Sequence, residues 1–157
     1  MDDTTRADDV ARGEWRDHVH IDAPVTRVWR ALTDLARLPR WMGEPELRIA
    51  VETDWRVGAP ITIRGFHHVP FENRGVVLAF DPPHALGYRY LSSLSGLADE
   101  PGYQTHLHFD LAEENGGTRL ALSAHGFPTD AIFHHTAFYW AGTLHVLKAY
   151  VEGLDRE

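Results

Sequence analysis

The sequence predicts an α+β domain: a curved antiparallel sheet of about seven strands, a long C-terminal helix, and two short helices between the first two strands. Three observations carry this reading. Residues 105–124 alternate apolar and polar side chains on both sides of Asn115-Gly116, which is the pattern and the turn of a β-hairpin. Residues 130–154 instead space their apolar side chains at the helical period. No repeat or linker divides the 157 residues, a length that suits one domain. Such a chain buries about 70% of its unfolded surface, so it needs no disulfide or structural metal to stand alone.

Taken in order, Glu14 to Ile21 is a half-buried strand, with Trp15, Asp17, Val19 and Ile21 on one side and Glu14, Arg16, His18 and His20 on the other. Asp22 offers a helix N-cap and Pro24 stands where an early helical proline is tolerated. Val25, Val28, Trp29 and Leu32 then recur at helical spacing. Leu35 to Trp41 is expected to form a second short helical turn, checked by Pro39 and closed by Gly43. Leu47, Ile49 and Val51 share one side of the next expected strand. Arg56-Val57-Gly58 reads as a turn into Ile61–Arg64, and Val76–Phe80 as a strand stopped by Asp81-Pro82-Pro83.

Leu86, Tyr88 and Tyr90 alternate along a further strand, and residues 91–102 form a loop longer than a hairpin needs. A two-residue turn at Asn115-Gly116 sets Leu111 opposite Leu120 and Phe109 opposite Leu122, so register and pattern agree. Phe133, Ala137, Trp140, Leu144, Leu147 and Val151 make the apolar stripe of the last helix.

Composition excludes several classes of function. There is no cysteine, hence no disulfide framework, thiolate zinc site or cysteine nucleophile. The net charge of −8 comes from 23 acidic against 15 scattered basic residues, only one of them a lysine, which argues against a nucleic-acid partner. Residues 1–12 read as a disordered acidic tail ahead of a single domain over 13–157. No stretch approaches the 18 or so apolar residues of a membrane span, and the start has no leader pattern, so a cytoplasmic protein is expected.

Several segments share one order with a known family. They are Ala23-Pro24 with Arg27-Val28-Trp29-Arg30-Ala31-Leu32-Thr33-Asp34, then Arg40-Trp41, Arg56-Val57-Gly58, and Asp81-Pro82-Pro83 with Leu86 and Tyr88. Gly116-Gly117-Thr118-Arg119-Leu120 and Gly126-Phe127-Pro128 follow, and Trp140-Ala141-Gly142 runs into Leu144 and Leu147-Lys148. The set resembles the START-like or SRPBCC superfamily, in the branch of bacterial proteins related to the activator of the heat-shock-ninety chaperone ATPase. Two positions depart from that pattern: Ala59-Pro60 replaces a glycine and a polar residue, and Phe138-Tyr139-Trp140 stands where many members carry His-x-x-Gly-Trp. The resemblance implies a helix-grip fold, with the first strand beside the last and an apolar cavity at the open end of the sheet.

On the inward parity Ile61, Ile63, Tyr88, Tyr90, Leu107 and Phe109 would line that cavity, with Trp140 and Leu144 facing them from the helix and Trp41 and Met42 at its mouth as a lid. The competing reading is that these side chains fill the core. His67 shares the parity of Ile61 and Ile63 and is the weak candidate for a catalytic acid–base group, with Tyr88 and Tyr90 beside it. Ser92, Ser93 and Ser95 lie in the long loop with no histidine placed near them, so a serine nucleophile finds no support. His18, His20, His106, His108 and His125 fall on the outward parity, and His106 faces His125 in the hairpin register. His106, His108 and His125 are thus weak metal candidates, against the simpler reading of a polar surface.

No cofactor is expected. The leading function is binding of a small hydrophobic or aromatic molecule as carrier or sensor, the alternatives being a cyclase or hydratase and a co-chaperone. A homodimer is left open as the other partner.

Overall fold

The computed structural model describes residues 13–154, so the tail expected over residues 1–12 lies outside the described residues, as do residues 155–157. The elements follow the expected order. Strand β1 (Glu14–Ile21) leads into helix α1 (Val25–Thr33) and the short helix α2 (Pro39–Met42). Strands β2 (Ala50–Glu52), β3 (Pro60–His67), β4 (Val69–Asp81), β5 (Ala85–Ser92), β6 (Thr105–Glu114) and β7 (Gly117–His125) come next, and helix α3 (Asp130–Gly153) closes the chain.

The strands form one antiparallel sheet in the order β1-β7-β6-β5-β4-β3-β2. The first strand therefore lies beside the last, as the helix-grip topology requires. Register across β6 and β7 is the one the turn dictates: Phe109 opposite Leu122, Leu111 opposite Leu120, His106 opposite His125. Asn115 and Gly116 both take positive φ (49° and 80°), the backbone that a two-residue hairpin turn demands.

The sheet curves where β4 meets β5. Gly75 lets the two strands approach so closely that a Cβ there would lie 1.6 Å from the Arg89 carbonyl oxygen. The register then shifts between Val77 and Ala79, a bulge that bends its strand. Into the concave side packs α3, whose Trp140, Leu144, Leu147 and Val151 are buried against Val19, Ile21, Phe109 and Leu122 in one core cluster. The buried face also takes in Thr136 and Thr143, while Phe133 and Ala137 are only half buried. Thr129 caps the helix by accepting from the Ile132 N–H at 3.1 Å.

At the other end the single lysine fastens helix to sheet. Lys148 Nζ donates to the His20 carbonyl at 2.7 Å and to Glu152 Oε2 at 2.6 Å, and the same carboxylate accepts from the Asp22 N–H at 2.8 Å. Asp22 therefore does not cap α1. That helix starts after Pro24, whose carbonyl accepts from the Arg27 and Val28 N–H groups.

Two further boundaries differ from the sequence pattern. Pro39 opens α2 instead of checking a helix, because a proline at the first helical position gives up no intrahelical bond. Leu47 belongs to a 3-10 turn (Pro45–Leu47) that ends on a left-handed Arg48 with φ 50°, so β2 shrinks to three residues. Among the described residues, no helix is long and apolar enough to cross a membrane.

Leu147 is fully buried in this interface. Leu147→Ala is expected to cost ~2–5 kcal/mol in urea melts with little change in slope, the range for truncating a buried leucine. A loss under ~0.5 kcal/mol would mean that the stripe is not packed on the sheet.

Candidate ligand cavity beneath the short helices

A void of about 20 Å³ lies between the sheet, α3 and the segment that carries the short helices. Leu32 of α1, Leu38, Trp41 and Met42 cover it, and Val51 and Trp55 close its side. Ile61, Ile63, Leu86, Tyr88 and Phe109 supply the sheet wall, and Trp140 the helix wall. The space takes about one water molecule, which needs some 10–15 Å³. It is far below the roughly 300–1,000 Å³ of a pocket for a drug-sized ligand.

The covering segment is held by few polar bonds, each from an aromatic side chain to a backbone carbonyl. Trp41 Nε1 donates to the Ala31 carbonyl at 3.0 Å and Trp55 Nε1 to the Thr33 carbonyl at 2.7 Å. Both indoles thus satisfy their one donor on α1 and turn their ring faces to the apolar side. Trp55 stacks on Phe80 at 5.7 Å, and Trp41 lies 6.2 Å from Trp140. Across the cavity floor Phe109 meets Trp140 edge to face at 5.5 Å. The Tyr139 hydroxyl donates to the Met42 carbonyl and so ties α2 to α3.

Tyr88 brings the only hydroxyl among the lining residues. Burial pushes its ionisation far above the ordinary tyrosine range, and the neighbouring Tyr90 and Tyr139 add to the shift. Tyr90 shifts the same way through burial, partly offset by its hydrogen bond to Thr136. Burial takes Tyr139 up to about 12, with Thr143 opposing and Tyr90 reinforcing. At neutral pH these groups are hydrogen-bond donors, not bases.

Seven of the expected wall residues line the void: Trp41, Met42, Ile61, Ile63, Tyr88, Phe109 and Trp140. Leu107 and Leu144 do not; both are solid core. Tyr90 sits beyond the void against Thr136. His67 is a clear correction. It has the parity of Ile61 and Ile63, but its side chain is exposed on the β3–β4 hairpin, with its ring 4.6 Å from that of His68, and it is not among the residues that line the void.

Leu32, Leu38, Val51, Trp55 and Leu86 line the void without having been foreseen. Leu86 was findable, since it shares the parity of Tyr88. Trp55 was not, because it lies outside regular structure with φ 58°.

On the outer face the five histidines do not gather. His106 and His125 stack at 4.6 Å, while His108 is held by Asp110 at 3.1 Å and His20 lies 3.5 Å from Glu114. His18 is exposed opposite Ala121. Among the described residues no three His, Cys, Asp or Glu side chains form a metal-holding group.

Comparison with known proteins matches residues 22–152 to the family described as Activator of Hsp90 ATPase homolog 1-like protein. No curated protein matches the sequence. Among solved structures, a protein from Chromobacterium violaceum is similar with a TM-score of 0.77 at 24% identity, over 89% of this chain and 97% of its own. A protein from Cytophaga hutchinsonii gives 0.74 at 24% identity, over 92% and 97%. CalU16 from Micromonospora echinospora gives 0.67 at 24% identity, over 88% and 75%. At such identities the likeness is one of fold.

The raised tyrosines set a sign for alkaline stability. A group whose ionisation lies higher in the folded state than the unfolded ~10 stabilises the fold fully below that value, and the contribution is lost as pH rises through the folded one. For Tyr139 the window runs from ~10 to about 12. Urea midpoints should fall across it, and less steeply in Tyr139→Phe. Equal slopes for the two proteins would show that Tyr139 ionises as freely folded as unfolded.

Proposed function

Because the chain belongs to the family of Activator of Hsp90 ATPase homolog 1-like proteins, we propose that it binds a small hydrophobic or aromatic molecule between the sheet, α3 and the lid formed by α2 with its flanking residues. The observation that carries this reading is the wall itself. Apolar side chains from the sheet, from α3 and from the lid segment meet at one point and leave it unfilled, although protein interiors are otherwise packed to near-crystal density.

A ligand of ordinary size enters only if Trp41 and Met42 move outward. Few polar bonds oppose that: the indole bond to Ala31 and the Tyr139 bond to Met42. Each such bond is worth only ~0.5–1.5 kcal/mol net, whereas burying the ligand's apolar surface returns roughly 25 cal/mol per Å². Tyr88 offers one donor on an otherwise apolar wall, which suits a ligand with a carbonyl, ether or phenol oxygen at one end.

Turnover by a cyclase or hydratase has less support. His67 is on the exposed hairpin, and hydroxyls held neutral donate protons weakly and abstract none. The co-chaperone reading rests on the family's name alone.

An apolar fluorescent dye or a long-chain fatty acid should bind and quench tryptophan emission. Ile63→Phe, which fills the void from the sheet side, should weaken binding by ~10-fold, or ~1.4 kcal/mol. Tyr139→Phe should speed association by releasing the lid. Unchanged affinity in Ile63→Phe would place the probe elsewhere on the molecule and remove the proposal.

A further inference from the structure

Helix α3 turns to solvent a side that the cavity does not use. Between Asp130 and Lys148 the helix carries no Asp, Glu, Lys or Arg, in a chain where 24% of the residues are charged. The solvent side of a helix seated on a sheet is ordinarily the charged one. Phe138 is 84% exposed there, the most exposed large hydrophobic side chain among the described residues, and Val146 is 51% exposed. At about 100° per residue, His135, Phe138, Gly142, Val146 and Ala149 fall within ~40° of one line along the helix. All five are exposed, and the line points away from the buried Trp140, Leu144, Leu147 and Val151.

We propose that this side of α3 is a self-association surface, packing antiparallel against the same helix of a second copy about a two-fold axis at Gly142. Shape is the first argument. Nothing lies within 4 Å of a Cβ built at Gly142, so two backbones can approach closely at the crossing. At ~1.5 Å per residue Phe138 stands ~6 Å from the axis, level with Val146 of the other copy. Its ring enters the recess between that Val146 and the small Ala149, as a knob enters a hole. The two-fold axis makes the contact twice, so one large position and one recess serve both copies.

Charge is the second argument. Each copy carries a net charge of −8, and like charges repel over a screening length of ~8 Å at physiological salt. The uncharged side of α3 lets two such chains meet without burying like charges against each other. It offers nothing to pair with a charged partner. The next charges along the helix, Lys148 and Glu152, are already bonded to each other, to the His20 carbonyl and to the Asp22 N–H.

Area sets the strength. The 24 residues of α3 make a strip ~36 Å long and ~10–12 Å wide, roughly 400 Å² per copy, against ~800 Å² per partner in a stable complex. The dimer is therefore weak and reversible, with a dissociation constant on the order of 0.1 mM.

The test is sedimentation equilibrium of the tag-free protein from ~20 µM to ~1 mM, with circular dichroism to confirm folding of each variant. The parent's mass should rise towards that of two chains, and association should tighten from ~0.05 to ~0.5 M sodium chloride as the repulsion is screened. Phe138→Glu should weaken association by at least ~10-fold, because it sets a carboxylate in the recess. Gly142→Leu suits a helix and adds apolar surface, yet it should also weaken association by keeping the backbones apart. Leu94→Glu, a change at another leucine that is 57% exposed, should leave it unaltered. A parent that stays monomeric at ~1 mM overturns the proposal and leaves this side of α3 to a different partner. Parent-like association in Phe138→Glu, or tighter association in Gly142→Leu, overturns it too, the latter by showing unspecific apolar contact.

Discussion

The seating of α3 in the hollow of the sheet is the constraint on which the rest of the structure depends. A seven-stranded antiparallel sheet has one face to bury, and among the described residues one long helix is available to cover it. The bulge after Gly75 bends the sheet so that one helix suffices near β1, β7 and β6. Towards β2 and β3 the helix supplies only Trp140 to the wall of the void. There the short helices and the Trp55 segment must complete the cover, and the unfilled space lies under them.

This division gives the two ends of the molecule different kinds of attachment. At the β1 end, Lys148 and Glu152 bind helix, strand and the start of α1 into one bonded group over a fully buried leucine and valine stripe. At the lid end, aromatic rings lean on one another and are steered by single N–H or O–H bonds to carbonyls. Segments with few hydrogen bonds and local contacts open at lower free energy than core strands. The binding site proposed above, which needs a moving part, lies at the end held by these single bonds.

Much of this was legible in the residues, and the reasons differ by element. The β6–β7 hairpin could be read to its register because strict alternation and an Asn-Gly turn constrain the same pairing independently. Helix α3 was clear from its period. The region from Pro39 to Val51 was not, because three- and four-residue elements carry too few positions for a period to show. Parity named the side on which His67 lies but not whether anything covers that side, and His67 is exposed. Leu107 and Leu144 share the correct face yet pack solidly, since the place where packing fails depends on summed side-chain volumes and not on pattern. On the outer face, pattern grouped five histidines by parity but could not show that His106 and His125 are in ring contact while His108 and His20 lie beside carboxylates.

The central claim, a lid that opens over a grip that stays shut, is tested most directly by hydrogen exchange followed by NMR. The indole N–H groups of Trp41 and Trp55 report the lid, and the amides of Leu120 and Leu122 report the core strands. The account predicts that the indole protons exchange through a local opening, faster and with little dependence on denaturant, while the strand amides exchange only through global unfolding. Indole protons that exchange with the rate and denaturant dependence of Leu120 would show one cooperative body with no moving lid, and would contradict the account.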